Sequence, residues 1–322
     1  MSVSYHTVAE HEAGQRIDNF LFRQFRKVPK SVIYRVLRKG EVRIDRKRVG
    51  PEHRLLTGES IRIPPLARET GAENAAGPVE TLSASLRTRL EQAILLEDEQ
   101  LIVLNKPAGL PVHGGSGIST GLIEAFRQLR PNLPFVELAH RLDRDTSGLI
   151  LLAKSRPALT ELHRLLREGG MNKHYLALSA GQWQGEARQI SLDLKRVGNQ
   201  ARKVQVADAT EDGRTAESIF TPLQRGPDCT LLDVQILTGR MHQIRVQLAH
   251  LGHPVLGDER YGDFGLNRVW RRQGLKRLFL HAASLVFMFE PTGQRYRLEA
   301  PLPPELERVL QPLKSATRGR QE

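Results

Sequence analysis

The feature that most restricts the fold of this chain is an interruption in its hydrophobic pattern. Residues 65–80, PLARETGAENAAGPVE, are rich in Ala, Gly, Pro and Glu and show neither helical nor strand periodicity. On both sides of this segment, apolar residues recur at the spacings of helices and strands. A chain of 322 residues is long enough for two hydrophobic cores. We therefore predict two domains, residues 14–64 and 86–315, joined by a flexible linker over residues 65–85.

Residues 14–64 have the pattern of a small α/β domain. Four apolar residues at helical spacing predict a first helix: Ile17, Phe20, Leu21 and Phe25. A second helix is expected to begin near Ser31, a favourable N-cap residue, and to end at Gly40, which tolerates a left-handed C-cap. Short strands are predicted over residues 42–44 and 61–63.

The same block carries most of the charge excess of the chain. It has fourteen Lys and Arg against five Asp and Glu, a net charge of +9 out of +12 for the whole chain. Seven basic residues fall on its polar sides: Arg35, Arg38, Lys39, Arg43, Arg46, Lys47 and Arg48. A solvated charged face is the alternative, but these charges are nearly all of one sign. Because grouped cations displace counterions from phosphates, we predict an RNA- or DNA-binding surface.

Composition argues against several other classes of protein. No apolar run approaches the ~20 residues of a spanning helix, and the N-terminus lacks the apolar segment of a secretory signal. A cytoplasmic protein with no membrane partner is expected. Cys229 is the only cysteine, so no intrachain disulfide can form, and a structural thiol is expected. No Cys or His spacing indicates a metal site. No long apolar surface helix stands out, so a monomer is expected.

The larger part, residues 86–315, mixes strands and helices. Residues 101–104 and 149–153 are apolar runs of strand length, and leucines between residues 159 and 166 form a helical stripe. Residues 232–236 alternate as in a half-buried strand, whereas residues 244–248 fit either a strand or the start of a helix. Strand-like segments outnumber helical ones, which favours an α+β fold with a mixed, largely antiparallel sheet.

The densest group of polar residues is HRLDRDTSG, residues 140–148, directly before an apolar strand. Charges beside a buried strand are partly desolvated, which costs free energy unless they are paired. Sites that tolerate this cost are often functional. A structural turn, in which Asp145, Thr146 and Ser147 bond local backbone and Gly148 supplies an unusual dihedral, is equally consistent with the residues alone.

HRLDRDTSGL resembles the signature of the RluA-type pseudouridine synthases. Further segments are similar to that family in the same order: LIVLNKPAGLPVHGG at residues 101–115, NKHYLAL at 172–178, LTGRMHQIRVQLAHLGHPVLGDERYG at 237–262 and LFLHAASLVF at 278–287. The resemblance covers nearly all of residues 95–302. The basic block is similar to the small RNA-binding domain named after ribosomal protein S4, in GQRIDNFL, SVIYRVLRKGEVRID and LLTGESIRI.

The resemblance implies an enzyme that detaches uracil from its ribose, turns it and rejoins it through carbon. This reaction needs no redox cofactor and no group donor. The appended basic domain and the HGGSGIS and MNKHYLALSAGQW segments point to uridines of 23S ribosomal RNA, before or during assembly of the large subunit. Alternatives are a relative acting on transfer RNA or other rRNA sites, and a non-catalytic RNA-binding protein of ribosome assembly. The fold implied is that of the pseudouridine synthases, with an S4-like domain in front.

The resemblance also assigns roles to particular residues. Asp143 is the catalytic carboxylate, as nucleophile at the anomeric carbon or as base at C2′, and Arg245 keeps it ionised. Tyr175 receives the flipped base, and its hydroxyl is a candidate for removing the C5 proton of the reattached base. Arg141 fills the gap left by that base. A glycosidase using Asp143 with Asp145 is disfavoured, because two carboxylates so close in a turn do not face a sugar from opposite sides.

Three further residues are candidate substrate contacts: His140, His242 and Lys106. Without the resemblance, the sequence around Tyr175 would indicate a half-buried strand tyrosine, and that around Arg245 a surface arginine. The chain departs from the family pattern at Met241 and Gln247, where Thr and His are usual; these changes affect local packing or substrate fit.

Overall fold

A computed structural model of the chain describes residues 3–25, 28–66, 82–114, 120–197, 203–208 and 212–318. They form two compact units. One consists of the described residues of 1–81 with 131–135 and 155–157, and the other of the remaining described residues. Most of the predicted linker lies outside the described residues. Among the described residues, no helix has both the length and the apolar character that crossing a membrane requires.

The N-terminal unit combines a small antiparallel sheet with two helices. Its strands are β1 (Ser4–Thr7), β2 (Arg43–Ile44), β3 (Lys47–Arg48) and β4 (Ser60–Ile63). Its helices are α1 (Ile17–Gln24) and α2 (Lys30–Lys39). The strands lie in the order β1-β4-β2-β3. Ile17, Phe20, Ile33 and Leu37 of the helices pack with Ile61 of β4 in one buried cluster, as their helical spacing requires.

The second helix of this unit begins earlier than its sequence suggests. Ser31 was expected to be the N-cap residue, but it lies inside α2, and Pro29 occupies the cap position with φ −55°. The carbonyl of Pro29 accepts the backbone N–H groups of Val32 and Ile33. Proline restricts φ to a value that suits a helix start, and α2 begins there without a side-chain cap hydrogen bond. Gly40 ends the helix with φ +70°, as predicted.

All seven predicted RNA-binding side chains of this unit are exposed. Three lie on α2 and four on the β2–β3 hairpin, whose turn residues Asp45 and Arg46 both have positive φ. The hairpin is held to the end of α2, because Arg43 donates to the carbonyl of Gly40 and Arg48 to that of Arg38. The cations of helix and hairpin therefore lie on connected elements.

The C-terminal unit contains a sheet of eleven strands in its described residues. These are β5 (Ile94–Glu97), β6 (Leu101–Lys106), β7 (Glu137–Leu138), β8 (Ser147–Ala153), β9 (Met171–Ala180), β10 (Arg188–Val197), β11 (Lys203–Val206), β12 (Arg214–Arg225), β13 (Cys229–Ile236), β14 (Leu280–Phe289) and β15 (Gln294–Glu299). The main order is β11-β10-β12-β13-β9-β14-β8-β6-β5, with β15 on β14 and β7 on β8. Within the described pairings only β14 with β8 is parallel, which confirms the predicted mixed, largely antiparallel sheet.

Six helices accompany this sheet in the described part of the chain. They are α3 (Ala84–Gln92), α4 (Leu122–Leu129), α5 (Arg156–Glu168), α6 (Gln243–His250), α7 (Phe264–Arg272) and α8 (Pro304–Arg318). Residues 244–248, which fitted either a strand or a helix, lie in α6. Ile244 and Leu248 pack into one apolar cluster and Val246 into another. The alternating pattern arises because this helix is buried on two sides.

The parallel pairing of β8 with β14 positions the polar turn 140–147. Gly148, at the start of β8, lies beside Ala282 of β14. Its φ is +109°, and a Cβ added there would lie 2.2 Å from the Ala282 carbonyl oxygen. A side chain is therefore excluded both by backbone conformation and by contact. Glycine here lets the turn enter the centre of the sheet.

Substitution of this glycine tests how tightly the turn is tied to the sheet. Gly148→Ala should lower the free energy of unfolding by about 3 kcal/mol or more, because strain and a backbone clash combine. Gly274→Ala is the matched control: its φ is +100° but nothing lies within 4 Å of an added Cβ, so about 1–2 kcal/mol is expected. Urea unfolding followed by fluorescence of Trp183 and Trp270, both buried in this unit, measures the difference. Equal losses of unfolding free energy in the two variants would contradict the close approach of Gly148 to Ala282.

Candidate active site

The turn between β7 and β8 presents Asp143 to solvent at the floor of a cleft. The backbone N–H of Thr146 donates to the Asp143 carbonyl, which closes the turn. A second tether comes from Gly109, whose N–H donates to the carbonyl of Arg144 at 2.8 Å. The Asp143 side chain is 20% exposed. Its carboxylate is therefore accessible although the surrounding backbone is fixed.

Arg245 lies between two carboxylates. Its Nη1 donates to Asp143 Oδ2 at 3.0 Å, while its Nε and Nη2 donate to the two oxygens of Asp258 at 2.7 and 2.8 Å. The ion pair expected between Asp143 and Arg245 is thus present. Arg245 is only 8% exposed, because it lies on the doubly buried helix α6 rather than on a surface strand. The fixed fork of the guanidinium orients it toward Asp143.

Asp258 was not identified from the sequence, yet it completes this arrangement. Burial alone would lower the pKa of Arg245, but the hydrogen bonds and charge of Asp258, and then Asp143, hold that pKa above its usual value. Burial would raise the pKa of Asp258, but Arg245 and the backbone N–H groups of Arg260 and Tyr261 hold it below its usual value. Both groups of this buried pair are therefore charged at neutral pH.

A second group of contacts reaches Asp143 through His242. The Nε2 of His242 lies 3.7 Å from Asp143 Oδ2, and its Nδ1 lies 2.7 Å from the hydroxyl of Tyr261. That hydroxyl accepts the backbone N–H of Val204 at 3.0 Å. Burial lowers the pKa of His242, so its ring is neutral at pH 7. We assign the Tyr261 hydroxyl as donor to Nδ1, which leaves the ring N–H on Nε2, facing Asp143.

Tyr175 lies on β9 and lines a pocket together with Asp143, Arg141 and Leu280. The tyrosine stands on the sheet between Val234 of β13 and Ala282 of β14. Burial, and after it the negative charge of Asp143, raises the pKa of Tyr175 well above its usual value. The ring is therefore a neutral phenol at physiological pH, in a pocket that also holds the carboxylate.

The pocket adjoins a polar cleft of about 740 Å³. Asp143, Arg245, His242 and Arg141 line both spaces. Arg141 is exposed, whereas Arg245 is buried. The structure thus brings together four of the residues expected at the site, and Tyr175 with them in the pocket.

Two residues expected to contact substrate lie elsewhere. Lys106 is fully buried, and its Nζ donates to the carbonyls of Pro107, Leu110 and Arg144 at 3.0 Å each. Burial lowers the pKa of Lys106 to about 7. The prediction that Lys106 lines the RNA path is wrong. Its amino group instead joins the loop after β6 to the polar turn, because carbonyls of both segments converge on it.

His140 likewise does not line the cleft or the pocket. Its Nε2 accepts the backbone N–H of Leu151 in β8 at 3.2 Å. Burial lowers the pKa of His140 to about 4, so the neutral ring is a stable acceptor. In the structure, His140 thus holds the turn to the strand that follows it; its contact with substrate stays a prediction.

The far end of the turn is fixed by side chains that the sequence did not single out. Arg277 Nη2 donates to Ser147 Oγ at 2.9 Å, and Ser147 Oγ lies 2.9 Å from His281 Nδ1. His281 Nε2 lies 3.1 Å from the carbonyl of Ala300 and donates to it. Burial lowers the pKa of His281 to about 4. A neutral histidine with its proton on Nε2 satisfies every partner in this chain.

The two departures from the family pattern do not touch the substrate space. Gln247 is fully buried; it accepts from Ser218 Oγ at 2.8 Å and donates to the carbonyl of Ala216 at 2.8 Å. Met241 packs beside the small apolar cluster that contains Val246. Neither lines the cleft or the pocket. Their effect is therefore on how α6 is anchored to the sheet.

Residues 100–250 match the family model described as RNA pseudouridylate synthase, and residues 15–61 match that of the S4 domain. The chain is 47% identical over 318 residues to the ribosomal large subunit pseudouridine synthase C of Salmonella typhimurium, with 98% of each chain covered. It is 46% identical over 318 residues to the protein of the same name from Escherichia coli K12, again with 98% of each chain covered.

A solved structure with a similar fold is that of human RNA pseudouridylate synthase domain containing 4. The two superpose with a TM-score of 0.60 at 25% sequence identity, over 71% of this chain and 96% of that chain. The similarity to human RNA pseudouridylate synthase domain containing 1 is close to this, with a TM-score of 0.56 at 25% identity.

Removing the charge of Asp258 tests the buried pair. Asp258→Asn should lower the free energy of unfolding at pH 7 by about 3–5 kcal/mol, because a buried guanidinium loses its paired charge. Since the pKa of Asp258 is lowered in the folded state, its stabilisation is present above the unfolded pKa of about 3.9 and is lost as pH falls through the folded value. The difference in free energy of unfolding between wild type and Asp258→Asn, measured by urea unfolding, should therefore become smaller below about pH 4.

The matched control is Asp145→Asn, which removes a carboxylate 45% exposed in the neighbouring turn. An exposed ion pair contributes at most about 1 kcal/mol. A loss at Asp258 no larger than at Asp145, or one that does not change with pH, would show that the buried pair does not stabilise the fold.

Proposed function

Since this chain belongs to the RNA pseudouridylate synthase family, we propose that it isomerises specific uridines of 23S ribosomal RNA in the large subunit to pseudouridine. The observation that carries the chemistry is the accessible carboxylate of Asp143, paired with buried Arg245 beside the ring of Tyr175. The choice of RNA is supported by the names of relatives nearly half identical over almost the whole chain.

A uridine stacked in RNA cannot reach a recessed carboxylate, so the nucleotide has to leave its stack. Arg141 is exposed where the cleft meets the pocket. A planar guanidinium can occupy the space of the displaced base and also pair with phosphate. The ring of Tyr175 then offers the base a face to stack on. Because its pKa is raised, Tyr175 serves better as this platform than as a proton acceptor.

The carboxylate of Asp143 has two candidate roles. As a nucleophile it forms a bond to C1′ while the C1′–N1 bond breaks, and the rotated uracil displaces it through C5. As a base it takes the C2′ proton, uracil leaves with the N1 bond electrons, and the proton returns when C5 bonds to C1′. In both mechanisms, C5 finally loses its proton and N1 gains a proton, so the atoms balance without a cofactor. In both, Arg245 stabilises the negative carboxylate in the starting state.

The N-terminal cations supply affinity rather than choice of base. Their seven exposed side chains contact phosphates in this proposal, and such contacts depend little on sequence. The target nucleotide has to be accessible to leave its stack, so we propose that the enzyme acts before or during assembly of the large subunit. We also propose that it acts as a monomer in the cytoplasm. An enzyme acting on transfer RNA is the alternative within the family.

Mapping of pseudouridine in cells tests the proposal. Cells that lack the gene should lose pseudouridine at specific 23S rRNA positions. Wild-type protein should restore them, and Asp143→Asn should restore none, because its amide carries no negative charge and cannot act as the nucleophile or the base. Asp145→Asn is the matched control in the same turn and should restore them. Positions lost from transfer RNA instead would contradict the 23S assignment, and restoration by Asp143→Asn would contradict the role of Asp143.

A further inference from the structure

Helix α7 displays apolar and basic side chains together on its outer face. Phe264 is 76% exposed and Val269 is 48% exposed. Arg268 places its guanidinium 5.5 Å from the centre of the Phe264 ring. Arg271 and Arg272 are also exposed. Large exposed apolar groups interleaved with cations are not needed to fold this helix, because its other face is already packed.

The inner face of α7 is well anchored. Trp270 and Leu275 are buried in an apolar cluster with residues of α8, and Leu266 packs against that cluster. The N-cap Asp263 accepts the N–H of Leu266 at 2.6 Å. Asn267 accepts the N–H of Gly257 and donates to the carbonyl of Asp258, both at 2.9 Å. The helix is therefore rigidly attached to the loop that carries the partner of Arg245.

The basic surface is continuous with the catalytic cleft. From Phe264 to Arg277 the chain has five Lys and Arg and no Asp or Glu. The last two of these cations, Lys276 and Arg277, line the cleft that contains Asp143. Arg260, just before α7, lines it as well. A polyanion that enters the cleft can therefore extend toward the cations of α7. Glu259 of the cleft lining pairs with Arg271 at 3.0 Å, so Arg268 and Arg272 are the α7 cations that we consider for phosphate contacts.

We propose that the outer face of α7 binds the RNA strand that flanks the target uridine, with an unpaired base stacked on Phe264. This inference rests on the proposed function. Arg268 and Arg272 bind the adjacent phosphates, and Arg268 also covers one side of the ring. Aromatic rings set among cations are the usual platform for unpaired bases, because every base has a π face. The surface thus selects for a single-stranded or looped segment at a fixed distance from the catalytic turn.

The chain offers matched variants for this surface. Arg268→Ala with Arg272→Ala removes two exposed cations, and Arg295→Ala with Arg297→Ala removes two exposed cations from β15, away from the cleft lining. Phe264→Ala removes the ring, Phe264→Tyr keeps an aromatic face, and Phe264→Leu keeps only apolar volume. Met288→Ala is the apolar control, since Met288 is 46% exposed on β14.

Filter binding of an unmodified large-subunit rRNA transcript is measured over a range of salt. The double arginine variant should bind about tenfold more weakly, and its slope of log affinity against log salt should fall by about one to one and a half, since each phosphate contact contributes about 0.7. Phe264→Ala and Phe264→Leu should each weaken binding about tenfold, whereas Phe264→Tyr binds like wild type. In assays of pseudouridine formation, the variants that bind RNA more weakly should show a raised KM and an unchanged kcat. The β15 and Met288 variants should match wild type.

Several results would overturn the inference. Binding and salt slopes equal to wild type in both the arginine and the Phe264 variants would show that α7 does not contact RNA. Photo-crosslinking from p-benzoylphenylalanine at position 264 should label rRNA near a modified uridine; labelling of a ribosomal protein instead would assign the surface to a protein partner. If the wild-type enzyme forms no pseudouridine in the transcript while these binding effects are observed, the proposed function is wrong but RNA binding by α7 is still supported.

Discussion

The site depends on one guanidinium that is shared between two carboxylates. Arg245 is buried and paired through Nε and Nη2 with Asp258, which leaves Nη1 for Asp143. A buried cation without a paired carboxylate would be strongly destabilising, and Asp258 supplies that partner. Asp258 holds Arg245 in place independently of Asp143. In the proposed function, Asp143 can therefore change its bonding while the structure around it stays intact.

The sheet holds this arrangement through a few close contacts. The parallel pairing of β8 and β14 needs a glycine at position 148, and the chain from Arg277 through Ser147 to His281 fixes the turn from below. Lys106 draws the loop after β6 onto the same turn. Burial keeps His281 neutral, and the same effect brings the pKa of Lys106 to about 7. The polar groups around the turn thus order the backbone, and the residues to which we assign the chemistry face the cleft.

Much of the fold was predictable because local patterns and tertiary structure agree. The two N-terminal helices, the Gly40 cap and the largely antiparallel sheet follow from apolar spacing and turn residues, and both family resemblances are confirmed. Helix α6 was ambiguous because it is buried on two sides, which hides its period. Asp258 and Tyr261 support Arg245 and His242, which lie 13 and 19 residues away in the sequence, so no helical or strand periodicity marks them. Lys106 was misplaced because a lysine is usually exposed, and its burial depends on three carbonyls that the fold brings together.

We propose that Arg245 is needed for the reaction and not only for the fold. The double substitution Arg245→Met with Asp258→Asn removes both charges of the buried pair, so no isolated charge remains inside. Its initial rate of pseudouridine formation on an unmodified large-subunit rRNA transcript is the most direct measurement, made beside its RNA affinity. We expect near-normal RNA binding with a rate at least about a hundredfold below wild type, the size expected when a preorganised charge is lost. A wild-type rate from this folded variant would contradict it.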